Sequence, residues 1–509
     1  MSIGEVGGVV VGRGPQGGLM CNGMGGAEVE VGDGEDVVQR IGGVCGVNEG
    51  LRKLLDGLRG CRGNSGWLRL EVEVSESGPQ SILDFVRRLG SCCQERFYYR
   101  SREGGVEVGG LGFAWKRESL DSLSKVGELC KGLRVYVAGK FDSERPAGSE
   151  WEDFGADGLV FVPVVEYREG GVLVLNVDRS QSRWREHSEG TLRQLITGHA
   201  DDLVSWNAPL SHQSQGSKSG DWARSIKSIK DKFQAGESSK IVLARTFNFE
   251  CERTPPDPFS LLPLLHELTP NGFLFGLQPM KDKVFLGCSP EQLFYLESFE
   301  VLTESLAGTC AVDGNRKEAV EYILSSKKDR YEQGLVTQHI ISSLKQCGAR
   351  SVDGTHDIVH LPHLVHLRTK LSASLTERSL LDNATRLLQA MNPTPAVCGL
   401  PTSVAKSSLS DLEPFDRGLY SGPFGYVGEN SSEFCVSIRS ALFVGQRMIV
   451  YAGAGIVPTS DPEQEWHETA LKMIPFLQLL GEMDAEQAFE AACSDIPVHF
   501  MSTDTASDD

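Results

Sequence analysis

The sequence predicts an α+β fold built on antiparallel β-sheet. From Lys240 onward, short strands and long helices alternate without a regular strand–helix–strand order. Several neighbouring strands are joined by short connections, which favours antiparallel pairing over a doubly wound parallel sheet. The chain has 509 residues, 40% of them hydrophobic, which is enough to bury a large core.

The individual elements follow from the spacing of apolar residues. Trp67–Val74 alternates apolar and polar residues, as a half-buried strand does, and Leu51–Leu58 has helical spacing. The other predicted strands are Gly171–Val177, Lys240–Asn248, Gly272–Leu277, Lys283–Gly287, Gln292–Ser298, Ser437–Phe443 and Met448–Gly453. The other predicted helices are Trp184–Val204, Trp222–Ala235, Lys317–Gln346 and Glu463–Leu480.

Composition divides the chain into four parts. Residues 1–50 hold 16 of the 57 glycines and little aliphatic periodicity, so they are predicted to be a flexible Gly-rich leader. Residues 51–215 form the N-terminal part of the fold, and residues 216–485 carry the motifs that indicate chemistry. The polar stretch Ser211–Gly220 between them is typical of a linker. Residues 486–509 are predicted to be a polar tail.

Charge and cysteine content exclude several classes of function. The net charge of −19 argues against nucleic-acid binding, which requires a basic surface. A small anionic substrate remains compatible, because one cationic pocket can lie inside an acidic surface. No apolar stretch reaches the roughly 18–20 residues of a membrane helix, so no membrane partner is expected. The 13 scattered cysteines predict reduced thiols in an intracellular protein.

Two patterns imitate functional motifs and are set aside. The segment Gly12–Gly17 matches GxGxxG, but no helical run follows it, as a dinucleotide site requires. His360, His363 and His366 lie close in sequence, but residues three apart in an extended segment point to opposite faces. We therefore expect one functional histidine in this run and no three-histidine metal site.

Two pairs of carboxylates stand three residues apart in predicted helices. Asp329 and Glu332 form one pair, and Glu465 and Glu468 form the other. This spacing places both members of a pair on one helix face. Four oxygen donors on two helices could bind a hard cation. From spacing alone, two solvated acidic helix faces are the favoured interpretation.

Two Gly-containing segments follow apolar strands. Gly287–Glu291 has the sequence GCSPE, and Ala452–Gly455 has the sequence AGAG. Glycine at a strand end permits close approach of a ligand to the backbone. Each segment alone could equally be a turn.

The order of the motifs carries more information than any one of them. The ordered segments are SSKIVLART (Ser238–Thr246), FLGCSPEQL (Phe285–Leu293), ESLAGT (Glu304–Thr309), KKDRYEQ (Lys327–Gln333), VHL (Val365–Leu367), NPTPAVCGLP (Asn392–Pro401), RGLYSGPFGYV (Arg417–Val427), SIRSAL (Ser437–Leu442) and AGAGIVPTSDPEQEWHETALKM (Ala452–Met473). This series resembles the chorismate-utilising enzymes, which include isochorismate synthases, salicylate synthases, anthranilate synthase component I and aminodeoxychorismate synthase. The resemblance extends from about Lys240 to Leu480, with weaker similarity over Phe141–Glu166, and is strongest to plant isochorismate synthases.

The resemblance implies a fold and an activity. The implied α+β fold has two antiparallel sheets packed face to face, flanked by helices, with the site at one mouth of the sandwich. Residues 216–485 then form a chorismate-binding catalytic region. The implied activity is Mg²⁺-dependent addition of water to chorismate with loss of its 4-hydroxyl, which gives isochorismate. A monomer is expected, with no glutamine amidotransferase subunit.

The resemblance also implies which residues carry the chemistry. Glu332 and Glu468 match the residues that hold Mg²⁺, and Asp329 and Glu465 match acids just behind them. Lys240 matches the general base, which must lose its own proton before it can accept one. The general acid and the substrate contacts complete the implied site: Glu291 as the acid, Tyr420 and Arg439 on the enolpyruvyl carboxylate, Lys472 near a carboxylate, backbone contacts at Gly453 and Gly455, His366 near the ring, and Gly308 and Thr309 lining the ring pocket.

Three positions distinguish members of the family. Ala307 stands where aminodeoxychorismate synthase carries a nucleophilic Lys, and Lys240 stands where the ammonia-using enzymes carry Gln. Ala396 stands where salicylate synthases commonly carry Thr, which favours release of isochorismate. The alternatives are a salicylate synthase and a catalytically weakened chorismate-binding paralogue. The second follows from Asn392, which replaces a His usual in isochorismate synthases and cannot titrate.

The cellular location and the pathway follow only from the resemblance. Similarity to plant enzymes implies a plastid. The first 35 residues, however, hold one Arg and five acidic residues, whereas a transit peptide is rich in Arg and Ser and poor in acids. No transit peptide is evident, so the cytoplasm stays open. The resemblance does not choose between a quinone pathway (phylloquinone or menaquinone) and salicylic acid biosynthesis.

Overall fold

A computed structural model describes most of the chain. It covers residues 36–63, 65–75, 82–90, 92–125, 132–198, 206, 216–251, 255–312, 315–361, 364–481 and 484–495, and the backbone of short strands within 5–31 and at 210–214. The strands are β1 (Glu5–Val6), β2 (Val9–Arg13), β3 (Leu19–Asn22), β4 (Glu28–Val31), β5 (Val37–Cys45), β6 (Trp67–Val74), β7 (Arg96–Arg100), β8 (Glu107–Arg117), β9 (Val135–Gly139), β10 (Gly158–Arg168), β11 (Val172–Asp178), β12 (Leu210–Ser214), β13 (Lys240–Cys251), β14 (Phe273–Met280), β15 (Lys283–Ser289), β16 (Gln292–Glu297), β17 (Glu300–Ala311), β18 (Asp353–His360), β19 (Leu364–Ser374), β20 (Gly399–Leu400), β21 (Pro423–Val427), β22 (Ser431–Val436), β23 (Ser440–Val444) and β24 (Arg447–Ile456).

The helices lie between these strands. They are α1 (Val47–Gly60), α2 (Ile82–Gly90), α3 (Trp184–Thr197), α4 (Ser219–Gln234), α5 (Leu261–Leu268), α6 (Arg316–Ser325), α7 (Lys327–Gln346), α8 (Leu380–Met391), α9 (Thr402–Leu412), α10 (Pro462–Gly481) and α11 (Ala485–Cys493). Among the helices described, none combines the length and the apolar character needed to cross a membrane.

The strands form two sheets that share β10. The first sheet has the order β5-β6-β11-β10-β8-β7-β14-β15-β23-β24-β13-β12, and the second has the order β9-β21-β22-β16-β17-β19-β18. One edge of β10 pairs with β8, while its other edge pairs with β9 at Gly158–Phe161 and with β11 at Val165–Arg168. Among the described pairings, β5 with β6 is parallel and the others are antiparallel.

An aromatic core fills the space between the two sheets. Phe97 and Phe275 of the first sheet contact Phe424 of the second, with ring centroids 6.0 and 4.9 Å apart. Phe97 also lies 4.5 Å from Tyr136 of β9. These side chains are buried, and aromatic pairs in such offset geometries stabilise a core beyond the area they bury. The sheets therefore pack face to face.

Helices cover the outer face of each sheet. One apolar cluster joins α1, α2, α3, α5, α10 and α11 to the first sheet, and another joins α7 and α8 to the second. The predicted α+β architecture, two packed antiparallel sheets flanked by helices, is confirmed.

Most predicted elements are present, and two predicted helices differ most from the observed ones. The predicted helix Lys317–Gln346 is two helices, because Ser326 leaves the helical conformation and its hydroxyl accepts a hydrogen bond from the amide of Asp329. The helix predicted over Trp184–Val204 ends at Thr197. The start of α10 is as expected, because the Asp461 carboxylate accepts from two amides of the first turn.

The predicted leader, linker and tail are wrong in part. Val37–Cys45 forms β5, which pairs with β6, and α1 begins at Val47, so the end of the leader belongs to the fold. The linker contains β12, which pairs with β13. Residues 486–493 of the predicted tail belong to α11, whose small apolar face (Ala488, Ala491, Ala492) is buried in the core. The glycine content and the short apolar runs of these segments did not predict the observed strands and helix, because their contacts form only in the tertiary structure.

Candidate active site

A cavity opens where the ends of several elements meet at one mouth of the sandwich. Its walls come from β13, β24, the β15–β16 loop, β17, β19, α7, α10 and the loops before β21 and β23. The lining residues are Val242, Glu291, Leu306, Ala307, Gly308, Thr309, Glu332, His366, Ala396, Val397, Tyr420, Ser421, Ile438, Arg439, Tyr451, Ala452, Gly453, Gly455, Glu468 and Lys472. The segments whose order suggested the family therefore meet in space.

Lys240 lies directly behind this wall, at the start of β13. Its ammonium nitrogen is 2.9 Å from a carboxylate oxygen of Glu332, and its side chain is fully buried. Gly455, on the neighbouring strand β24, faces this pair. A Cβ at Gly455 would lie 2.0 Å from Glu332 Oε1, so only glycine leaves room for the carboxylate here.

The acidic residues of α10 are held by lysines. Lys472 Nζ donates to Glu468 Oε1 and to the carbonyl of Gly453, both at 2.7 Å. Lys328, in the first turn of α7, donates to Glu465 Oε1 at 2.6 Å. The contact between Lys328 and Glu465 joins α7 to α10.

The carboxylates of α10 titrate differently from free acids. Burial and the nearby Glu468 raise the pKa of Glu465 to about 7. Burial also acts to raise the pKa of Glu468, but Lys472 and Lys328 outweigh it and hold this pKa below its usual value. Glu468 is thus an anion in the cavity, and its negative charge contributes to the raised pKa of Glu465.

Asp329 is buried behind the ring pocket. Its Oδ1 accepts a hydrogen bond from the amide of Thr309 at 3.3 Å. Gly308, in the bulge of β17, has φ of +77°, and a Cβ there would lie 2.9 Å from Asp329 Cβ. Glycine at this position permits both the left-handed backbone and the close approach of α7. Burial raises the pKa of Asp329.

Glu291 lies on the β15–β16 loop, opposite these acids. Its side chain points into the cavity from a buried position. Burial, and after it the neighbouring Glu304, raise the pKa of Glu291 to about 8. At neutral pH this carboxyl group holds its proton, so it can act as an acid.

His366 is neutral and has a defined orientation. Burial, with Arg439 beside it, lowers the pKa of His366 to about 3. Its Nδ1 faces the Thr309 hydroxyl at 3.1 Å and the Gly308 carbonyl at 3.3 Å, while its Nε2 lies 3.4 Å from Arg439 Nη2. Arg439 can only donate, so Nε2 is the acceptor and Nδ1 carries the hydrogen.

The cationic side of the cavity is formed by Arg439 and Lys472. Arg439 has φ of +52° and its guanidinium lies against the Lys472 carbonyl at 3.5 Å. Burial lowers the pKa of Arg439 to about 10, so the group is still charged at neutral pH. Tyr420 stacks on Tyr451 with ring centroids 5.1 Å apart. Two cations and a phenol on one wall are suited to bind a carboxylate.

The predicted site residues divide into two groups. All eight predicted substrate-binding residues, together with Glu291, His366, Glu332 and Glu468, line the cavity. Lys240, Asp329 and Glu465 do not line it. Lys240 and Asp329 contact the lining residues Glu332 and Thr309, and Glu465 contacts Lys328. Of the other histidines in the run, His360 is exposed on β18, and His363 lies outside the described residues.

The carboxylates of the cavity fit a hard divalent cation that is bound partly by the protein and partly by a substrate. Glu332 and Glu468 present carboxylate oxygens, which Mg²⁺ prefers, and Gly455 leaves space beside one of them. Within the described part of the chain, no three His, Cys, Asp or Glu side chains converge to hold a metal alone. A cation here would need water or substrate to complete its coordination.

Sequence reasoning missed a buried ion pair that supports the cavity. Arg417 donates to Glu413 at 2.6 and 2.8 Å and to the carbonyls of Val242 and Val397, two lining residues. Glu413 also accepts from the amide of Ala244 at 2.8 Å. Arg417 stands in one of the quoted motifs, but nothing in the motif indicates that its partner lies four residues earlier.

A larger cavity lies elsewhere and carries less chemistry. Its volume is about 1420 Å³, and α2, α3 and the segment 255–258 border it. Its central cation, Arg96, already makes a two-pronged contact with Asp257 at 2.8 and 2.9 Å. The catalytic candidates therefore lie in the smaller cavity.

Comparison with known proteins identifies the family. The family model described as Chorismate binding enzyme matches residues 63–481. This match covers most of the chain and includes every residue of the cavity. The protein belongs to the chorismate-binding enzymes.

Particular relatives and structures agree with this assignment. Isochorismate synthase 2, chloroplastic, from Arabidopsis thaliana is 30% identical over 462 residues, which cover 83% of this chain and 79% of that protein. Isochorismate synthase MenF of Pasteurella multocida is 34% identical over 382 residues, or 72% of this chain and 86% of that protein. The structure of MenF, the menaquinone-specific isochorismate synthase from Escherichia coli, matches with a TM-score of 0.74 at 27% identity, over 85% of this chain and 99% of that one.

Proposed function

We propose that this protein converts chorismate to isochorismate. The observation that carries the proposal is that a buried lysine, Lys240, is paired with Glu332 in the wall of a cavity that Glu291, a buried acid with a raised pKa, and Glu468 also line. Base and acid in one site allow water to be added at one carbon while a hydroxyl is expelled at another. The relatives named isochorismate synthase support the same reaction.

The cationic wall binds and orients the substrate. Arg439 and Tyr420 face the enolpyruvyl carboxylate, with the guanidinium donating to its oxygens. Lys472 and the backbone at Gly453 and Gly455 lie along the rest of the ring. Neutral His366 can hydrogen-bond to the substrate without adding charge.

Lys240 and Glu291 move the protons. Lys240, once it has lost its own proton, takes a proton from water as the water oxygen bonds to C2 of the ring. The ring double bonds shift, and the bond from C4 to its hydroxyl breaks. Glu291 gives its proton to the departing hydroxyl, which leaves as water, so one water enters and one leaves.

Glu332 and Glu468 would hold Mg²⁺ beside the ring carboxylate of chorismate. When bound, the ion supplies positive charge that fixes and polarises this carboxylate. Asp329 and Glu465 orient the acidic helices through Thr309 and Lys328. Because Lys240 is paired with Glu332, a cation at Glu332 would compete with the ammonium for the same oxygen.

Product analysis tests the proposal. Purified protein is incubated with chorismate and Mg²⁺, with and without EDTA, and products are separated by liquid chromatography. Isochorismate that forms only without EDTA supports the proposal. Salicylate with pyruvate, above the amount that isochorismate yields spontaneously, would assign the chain to salicylate synthesis instead. Chorismate binding without turnover would identify a paralogue that has lost its activity.

The proposal includes a location and an assembly state. A plastid location is supported by plant relatives whose names include the word chloroplastic. The active unit is a monomer without an amidotransferase subunit. A fluorescent fusion in plant cells tests the location, and light scattering of the active protein tests the monomer.

A further inference from the structure

The loop that carries Glu291 is held on both sides by one ion pair. The carbonyl of Pro290, just before Glu291, accepts a hydrogen bond from Arg102 Nη1 at 3.1 Å. The amide of Gln292, just after it, donates to Glu304 Oε1 at 2.9 Å. Each neighbour of Glu291 along the chain therefore contacts one member of the same ion pair.

Arg102 and Glu304 hold each other in a fixed geometry. Arg102 Nη1 and Nη2 donate to the two carboxylate oxygens of Glu304 at 2.7 and 3.2 Å. The Glu304 side chain is 2% exposed and that of Arg102 is 15% exposed, so the pair is shielded from solvent. The Arg102 guanidinium also lies over the Phe273 ring, 5.4 Å from its centroid. A forked contact of this kind fixes orientation as well as distance.

Arg102 comes from the part of the chain that carries no predicted site residue. It stands in the turn between β7 and β8, whereas Glu304 belongs to β17 of the second sheet. We propose that Arg102 is a positioning residue for Glu291, acting through Pro290, Gln292 and Glu304. The inference rests on the proposed function, in which Glu291 is the proton donor.

A second set of contacts keeps the loop folded without Arg102. The amide of Glu291 donates to Ser289 Oγ at 3.2 Å, and its carbonyl accepts from the amide of Val436 at 3.1 Å. Loss of Arg102 therefore shifts the carboxyl group and does not unfold the loop. Proton transfer needs heavy atoms within about 3 Å, and a shift of about 1 Å can cost roughly 100-fold in rate.

The test is a double-mutant cycle with kcat and KM measured separately. Arg102→Met is expected to lower kcat about 10- to 100-fold and to change KM for chorismate less than about threefold. Arg102→Lys, which retains the charge, is expected to recover part of the loss. In the Glu291→Gln background, Arg102→Met is expected to change residual kcat less than about twofold, because its effect passes through Glu291.

A matched control separates positioning from general stability. Arg96, also in the N-terminal part, makes a similar forked contact with Asp257 but does not touch the Glu291 loop. Arg96→Met is expected to lower Tm, to leave kcat within about twofold, and to combine independently with Glu291→Gln. If Arg102→Met does not fold, Arg102→Lys takes its place in the same cycle.

The outcomes separate this inference from the proposed function. Normal kcat in Arg102→Met, or an equal loss with and without Glu291, overturns the positioning role and leaves the proposed reaction intact. Near-normal turnover by Glu291→Gln alone removes Glu291 from the mechanism. It overturns both the positioning role of Arg102 and the proposed role of Glu291 as proton donor. A kcat loss that disappears in the Glu291→Gln background supports the inference.

Discussion

The buried ammonium of Lys240 lies 2.9 Å from the carboxylate of Glu332, and Gly455 packs against both side chains. The proposed base and a carboxylate proposed to hold the metal are thus immediate neighbours. Each changes the electrostatic environment of the other, so substitutions at either are expected to affect both proton transfer and metal binding.

Gly455→Ala tests the space beside Glu332. The new Cβ would meet Glu332 Oε1 at 2.0 Å, so the carboxylate must move. We expect the Mg²⁺ concentration for half-maximal activity to rise at least about tenfold, as for loss of an orienting contact at a metal site. Gly334→Ala in α7, where nothing lies within 4 Å, is the control and should leave it unchanged. Equal Mg²⁺ dependence in both variants would refute the prediction.

Lys240→Met tests the base. Loss of a positioned proton acceptor is expected to lower kcat by about 100- to 10,000-fold. Lys140→Met is the matched control, because Lys140 is equally buried but is paired with Asp416, at 3.7 Å, and Lys240 is paired with the lining residue Glu332. The control should retain its kcat per folded molecule. Similar kcat values for the two variants would remove Lys240 from the mechanism.

The pH dependence reports on Glu291. A proton donor must hold its proton, so kcat is expected to fall as the pH rises through about 8, the raised pKa of Glu291. The folded protein retains this proton above the normal glutamate pKa of 4.5, so stability should fall with pH between 4.5 and about 8. Glu291→Gln should remove that part of the Tm change. Identical Tm profiles for wild type and variant would contradict the raised pKa.

The Arg417–Glu413 pair is expected to matter for stability. Removing one partner of a buried ion pair leaves the other charge uncompensated, so Arg417→Met should cost about 3–5 kcal/mol. Arg183→Met breaks the exposed pair with Glu186 and should leave the free energy of unfolding nearly unchanged. Denaturant titration measures both. A loss of unfolding free energy for Arg417→Met as small as that for Arg183→Met would contradict the prediction.

Asn392→His tests whether this chain is a weakened paralogue. Asn392 caps the C-terminal end of α8 and is not among the residues that line the cavity. The substitution is therefore expected to change kcat less than about threefold, because the side chain does not line the cavity. A gain of a hundredfold would show instead that the asparagine limits the activity.

The sequence contained most of the site because catalytic groups stand in short motifs. Lys240, Glu332, Glu468 and Arg439 could each be placed by a local pattern within the family resemblance. The same patterns predicted strands such as β6, whose alternation is local in origin.

What could not be predicted depends on contacts between distant segments. Arg102 and Glu304 are separated by 202 positions, and neither residue type nor spacing indicates that they meet. The pairing of β5 with β6 likewise depends on tertiary contacts, because glycine is depleted in strands and the Gly-rich sequence alone predicts coil. Raised or lowered pKa values follow from burial, which local sequence does not determine.

The strand order has a consequence for how the chain is made. β7 and β9, from the first third of the chain, lie between strands that are synthesised later: β14 beside β7, and β21 beside β9. A nascent chain on the ribosome therefore exposes the edge of β7 until β14 has emerged, and the edge of β9 until β21 has emerged, after more than 400 residues. Truncated transcripts that stop before β21 should yield aggregates bound by chaperones, not a smaller soluble enzyme.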